Sequence, residues 1–340
     1  MHSIILSRSK QCIMSYNQSL PFSPETPWLA PIAGWSDLPF RLLCRERGAA
    51  VCYTEMISAK GLVYNNQGTE SLLKTIPEDN PLIVQLCGSE ASYMKDALTI
   101  LLEKGYTWFD CNMGCSVPKV TRTGSGASMM KNIDNSIKVA EAMIHTVNKK
   151  SIGFKLRLGW DEKHETWSIL AKLLEEAGAG WITLHPRTAQ QGFTGTANWE
   201  KLLELKQQIK IPIIASGDLL TASHGVDCIK KTHVDTVMYA RGALKDPNIF
   251  TKHNQILKGK QVTTTNSNNL LSMIMRHSYL VCKYNSHHTA LLKMRTIVPR
   301  YIRHLKGAKQ LRLNIINCRT WSSFEDIIQQ FFKERTYSSL

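Results

Sequence analysis

The sequence contains no run approaching the roughly 18 consecutive apolar residues that a membrane helix needs, so a soluble protein is expected. Its nine cysteines, at 12, 44, 52, 87, 111, 115, 228, 282 and 318, form no Cys-x-x-Cys pair. That absence argues against a zinc site or a disulfide framework and suits a reducing cytoplasm; no metal is expected. No Gly-x-Gly-x-x-Gly follows a strand-like segment, so a dinucleotide fingerprint is missing. Before residue 28 the only apolar patch is residues 4–6, far short of the roughly 7–15 apolar residues of a secretory signal. Residues 1–27 are read as a disordered tail, with Met14 as an alternative start.

Acidic residues are scarce at one end. Residues 251–340 hold 15 Lys or Arg against 3 Asp or Glu, a net +12 out of +15 for the whole chain. A basic appendage on a nearly neutral body fits a module that binds a polyanion.

What is present is a strict alternation. Strand-like segments at 28–33, 51–56, 82–87, 108–112, 152–158, 181–185, 211–216 and 236–240 are separated by amphipathic helical stretches. Eight regular β/α units over about 230 residues favour a closed parallel barrel over an open sheet. The predicted fold is therefore α/β, a (β/α)8 TIM barrel over 28–258 followed by a small all-helical domain. The polar stretch 259–269 reads as a linker, and the basic domain spans 270–335. A monomer is expected.

Chemistry in such barrels lies where strands end. In 152–158, Ile152, Phe154, Leu156 and Leu158 alternate with Gly153, Lys155 and Arg157, which turns Lys155 and Arg157 inward. A buried cation needs a partner: either a structural ion pair or the N1/O2 edge of a flavin, negative when reduced. Gln85 faces inward from 82–87 and can bond either a ring edge or neighbouring backbone. His185 and Arg187 end the sixth strand. Ser216-Gly217-Asp218 and Ala240-Arg241-Gly242 end the seventh and eighth, where this fold usually binds phosphate. One terminal phosphate suits a mononucleotide cofactor. The fourth strand delivers Asn112 and then Cys115, a thiol able to act as proton donor or nucleophile.

These residues lie in segments that resemble the tRNA-dihydrouridine synthase family from Leu29 to about Ile327. The segments are LAPIAGWSDLPFR at 29–41, TEM at 54–56, VQLCG at 84–88, NMGC at 112–115, KLRLGW at 155–160, LHPRTAQQGFTG at 184–195, ASGDL at 215–219 and ARGALKDPNIF at 240–250, with LLKMR at 291–295 in the terminal domain. The resemblance implies bound FMN, with NADPH or NADH as reductant and tRNA as substrate. It implies that Pro31, Ile32 and Ala33 line the flavin with backbone, that Gln85 and Lys155 bond its ring, and that His185 lies against it. Ser216, Gly217, Asp218, Ala240 and Arg241 would hold its phosphate and ribityl chain. Cys115 matches the general acid, and Asn112 and Arg187 match positions that meet the uridine or its phosphate. Ser116, Ser216 and Ala240 stand where the family usually has proline, asparagine and glycine.

The implied reaction adds hydride from flavin N5 to uracil C6 and a proton from Cys115 to C5, on a uridine flipped out of its stack. Two other readings remain open on the residues: a flavin barrel that reduces a free pyrimidine or enone, and a non-catalytic RNA-binding barrel. The first leaves the +12 segment without a role. The second leaves Lys155, the phosphate loops and Cys115 unexplained.

Overall fold

Alternation along each strand sorts side chains to the two sides of a sheet, and closing that sheet leaves one set inside and one against helices. A computed structural model describes residues 19–148, 150–262 and 266–337. Nine strands run in chain order: β1 Trp28–Leu29, β2 Val51–Tyr53, β3 Ile57–Ser58, β4 Leu82–Cys87, β5 Trp108–Met113, β6 Ile152–Leu156, β7 Trp181–Leu184, β8 Ile213–Ala215 and β9 Thr236–Tyr239. All pairings are parallel, and β2 pairs with both β1 and β4, so that eight strands close into a ring with helices between them. The ninth, β3, extends the end of β4 through Ile57 opposite Leu86. The chain thus adopts the expected (β/α)8 barrel followed by a helical region.

Several strands are shorter than their residue pattern predicts, 152–158 being realised as Ile152–Leu156 and 211–216 as Ile213–Ala215, and for the first two in the chain the cause is visible. β1 stops at Leu29, and Pro31 shortly after has no N–H with which to continue a ladder. The expected strand 51–56 breaks after Tyr53, where the Thr54 hydroxyl takes the N–H of Gln85 at 3.2 Å, and resumes as β3.

Trp28, Val51, Tyr53, Ile83, Trp181, Ile214 and Met238 fill the barrel interior and are all at most 1% exposed. The Trp181 indole donates to the Tyr53 hydroxyl at 3.2 Å, which satisfies a polar group that burial would otherwise strand. Part of the segment read as a disordered tail is packed below this layer. Leu20 is buried, and the Phe22 ring lies 5.2 Å from Trp28 and 6.1 Å from Trp181. His253 Nε2 donates to the Pro24 carbonyl at 2.8 Å, leaving Nδ1 to accept from Tyr239 at 2.7 Å. The remainder of that tail, residues 1–18, lies outside the described residues.

Of the linker, residues 263–265 lie outside the described residues, and helix resumes at Ser267. Four helices follow: Ser267–Tyr284, His287–Ile302, Ala308–Asn317 and Trp321–Tyr337. Their apolar stripes, including Met273, Ile274, Val281, Met294, Val298, Ile315 and Phe324, form one core with Leu38, Leu42 and Leu43 of the helix Leu38–Glu46. At roughly 1.5–3 kcal/mol for each fully buried large side chain, that seam fixes the bundle to the barrel. Polar contacts frame it: Arg276 pairs with Glu46 at 2.6 Å, Lys293 with Asp37, and the Arg300 guanidinium lies 4.1 Å from the Trp35 ring centroid. Among the described residues no helix is long and apolar enough to cross a membrane.

Candidate active site

Pairing puts the polar inward residues of neighbouring strands side by side: Gln85 of β4 lies opposite Asp110 of β5, and Asn112 of β5 opposite Lys155 of β6. Gln85 Nε2 donates to Asp110 Oδ2 at 2.7 Å, and Asn112 Nδ2 donates to Gln85 Oε1 at 2.8 Å. Gln85 is therefore bonded to neighbouring side chains and still keeps one N–H and one lone pair. Asp110 is fully buried, and burial pushes its carboxyl up to about 8 despite the Gln85 bond and the charge of Lys155. Burial and the nearby Arg157 bring the Lys155 ammonium down to about 8. Lys155 makes no direct ion pair and no hydrogen bond among the described residues, so the structural ion pair is not formed and its ammonium faces the cavity.

At the end of β7 the His185 ring is nine-tenths enclosed. Burial first, then Lys155, Arg157, Arg187 and Arg241, hold it well below its usual range, so it is neutral. Arg187 Nη1 sits 3.3 Å from its Nε2, and because a guanidinium only donates, Nε2 accepts and Nδ1 carries the hydrogen. Arg187 itself is 1% exposed. It is consumed by Asp218, at 2.8 and 2.6 Å, and by the carbonyls of Thr194 and Gly195. These buried bonds make Arg187 a brace for the rim loop and place it off the cavity wall. Asp218 also receives the Ala197 N–H at 2.8 Å and Arg241 at 3.2 Å. Burial works against its charge, but the Arg187 bonds prevail and hold its carboxyl below the usual range. Gly217 has φ +101°, and a Cβ there would fall 2.6 Å from the His185 ring, so glycine alone lets the loop lie against the imidazole. Ser216 is buried behind this loop, off the cavity wall.

The loop after β5 carries the thiol. Asn112 Oδ1 accepts the N–H groups of Gly114 at 3.2 Å and Cys115 at 2.8 Å, and Ala127 N–H donates back to the Cys115 carbonyl at 2.9 Å. Gly126 closes the loop at φ +62°, where a Cβ would stand 2.6 Å from the Cys115 carbonyl oxygen. Arg157 bridges this loop to the next: Nε reaches Gly114 O at 2.8 Å, and Nη1 reaches Thr188 O at 2.8 Å and Gly192 O at 2.9 Å.

These residues enclose a cavity of about 250 Å³. Pro31, Ile32, Ala33, Gln85, Asn112, Cys115, Lys155, His185, Gly217, Asp218, Ala240 and Arg241 all reach its wall; Arg187 and Ser216 do not. Arg157, expected to point inward but given no role, also lines it, as do Met56 and Phe193, which were not among the expected site residues. Phe193 is 61% exposed, with Arg241 4.5 Å and Arg157 5.7 Å from its ring centroid. In the sequence it lies in the family-like segment 184–195 as an aromatic among turn residues, and that pattern does not say where the turn points.

A parallel (β/α)8 barrel with cations, amides and a thiol gathered at its strand ends is a barrel enzyme with one polar mouth. The dihydrouridine synthase (Dus) family profile matches residues 28–336, and the chain belongs to that oxidoreductase family. A probable tRNA-dihydrouridine synthase of Treponema pallidum is 29% identical, over 89% of this chain and 92% of its own. Probable tRNA-dihydrouridine synthase 1 of Synechocystis is 30% identical over 88% and 84%. The tRNA-dihydrouridine synthase B of Pseudomonas aeruginosa is 28% identical over 92% and 94%. Among solved structures morphinone reductase is similar at TM-score 0.49, with 11% identity over 73% of this chain and 87% of its own. That degree of likeness bears on neither cofactor nor substrate.

Proposed function

We propose that this chain reduces uridines of tRNA to 5,6-dihydrouridine, with FMN held in the barrel mouth and NADPH or NADH as reductant. One observation carries the reading: an ammonium without a direct partner, Lys155, shares a single cavity with the Cys115 thiol. The residues fit a flavin mononucleotide. Lys155 offers charge to the ring edge that turns negative on reduction, and Gln85 keeps a donor and an acceptor beside it. Pro31, Ile32 and Ala33 supply a wall, with neutral His185 against the ring. Gly217, Asp218, Ala240 and Arg241 form the phosphate end, backed by Ser216.

FMN held there would supply the hydride for uracil C6. Cys115 gives its Sγ proton to C5, and a proton from solvent restores the thiol. Neutral His185, with no proton to spare at Nε2, is not that acid. Asn112 holds the Cys115 loop and faces the uridine, while Arg157 ties that loop to the one bearing Phe193. The helices from Ser267 to Tyr337 carry most of the +12 and would grip the RNA backbone.

The test is to release the chromophore from purified protein, identify it by chromatography, and incubate the protein with unmodified tRNA and NADPH. FMN and a gain of two hydrogens at a uridine are expected. A colourless protein, or free uridine reduced as well as tRNA, would sink the reading.

A further inference from the structure

Beneath the cavity a line of hydrogen bonds runs from Asp110 to the Cys115 loop, and the backbone imposes its direction. The N–H groups of Gly114 and Cys115 can only donate, so the Asn112 atom they meet, at 3.2 and 2.8 Å, is the carboxamide oxygen. Asn112 Nδ2 is then turned to Gln85, 2.8 Å away, where only Oε1 can accept. Gln85 Nε2 is in turn left facing Asp110 at 2.7 Å, and that contact needs an acceptor. Flipping either amide would set donor against donor at one of its contacts and acceptor against acceptor at the other.

We infer that Asp110 is a positioning residue: through Gln85 and Asn112 it fixes which amide atoms face the cavity and holds the loop that carries Cys115. The side chain suits this role and no other in the reaction, since it is fully buried and off the cavity wall. Oδ2 takes the Gln85 bond; Oδ1 has no partner in hydrogen-bond geometry among the described residues, and the Tyr53 hydroxyl is the other polar group that acts on this carboxyl. The line therefore stands whether or not Oδ1 carries a proton. Replacing the carboxyl by an apolar group would leave a buried N–H of Gln85 unpaired, and that cost would pass to the next amide in line.

The consequence for flavin and uridine recognition rests on the proposed function, but the hold on the loop does not, so the test uses protein without RNA. Hydrogen exchange at the amides of residues 114 and 115 is measured together with alkylation of Cys115 by iodoacetamide, read on its own peptide by mass spectrometry. Asp110→Leu removes the acceptor, Gln85→Leu breaks the next link, and Asp110→Asn keeps an acceptor oxygen in place. Both leucine variants are expected to exchange and alkylate about tenfold faster, as loss of one buried hydrogen bond implies, with Asp110→Asn within about twofold of the parent. If Asp110→Leu does not fold, Gln85→Leu and Asp110→Asn still decide. Unchanged rates in a folded leucine variant, or an Asp110→Asn rate equal to that of a leucine variant, would overturn the inference. Absence of flavin or of reduced tRNA would sink the proposed function and leave these rates as they are.

Discussion

At the residue scale the site is organised around surplus positive charge. Lys155, Arg157, Arg187 and Arg241 converge on one mouth, and Asp218 neutralises only part of them, being shared between Arg187 and Arg241. Lys155, brought down to about 8, is charged below that pH and neutral above it. Affinity for a flavin with a negative ring edge should therefore fall as pH rises through about 8. Lys155→Met should bind FMN about tenfold more weakly and lose that pH dependence, as fluorescence titration of the apoprotein would report. Cys115→Ala should keep FMN bound and lose dihydrouridine formation by about 100-fold or more; an unchanged product yield would remove Cys115 from the chemistry.

At the scale of elements, loops are held by backbone bonds rather than by their own packing. Gly126 allows the chain to double back onto Cys115, so Gly126→Val should cost about 1–3 kcal/mol and change the alkylation rate of Cys115, readable by thermal unfolding and peptide mapping. A second fixture lies below. Asp79 is 1% exposed and binds Arg41 at 2.8 Å and Arg45 at 2.9 Å, which ties the helix Leu38–Glu46 to the segment before β4. Asp79→Ala strands two guanidinium groups, one of them fully buried, and should lower stability by about 3–5 kcal/mol in urea unfolding. Most strands were legible from their apolar alternation. The break after Tyr53 was not, because it depends on the Thr54 hydroxyl meeting an amide of the adjacent strand.

For the whole molecule, the basic bundle is fixed to the segment that also lines the cavity. Trp35 and Asp37, which contact Arg300 and Lys293, directly follow Ile32 and Ala33 on the cavity wall. Arg303 and Lys306, at the turn between the second and third bundle helices, and Lys309, in the first turn of the third, are exposed. Arg303→Glu, Lys306→Glu and Lys309→Glu together should weaken tRNA binding and lower the slope of log affinity against log salt by about 1 for each lost phosphate contact, with FMN binding unchanged. Filter binding across a salt series measures both.

The sequence alone determined the barrel, the helical region after it, the concentration of positive charge in that region and the strand ends where chemistry collects. Each depends on periodicity or composition, which are properties of a stretch read in order. Tertiary structure decided what each polar side chain touches. Lys155 turned out to lack a direct partner among the described residues, Arg187 to be spent on Asp218, and residues 19–27 to plug the barrel floor. The same is true of Cys115: its loop is shaped by Asn112, Gly126 and Arg157, and Arg157 reaches it from another strand. A hydrogen bond between residues more than 40 apart in the chain follows from strand register and barrel closure, and no local pattern encodes it.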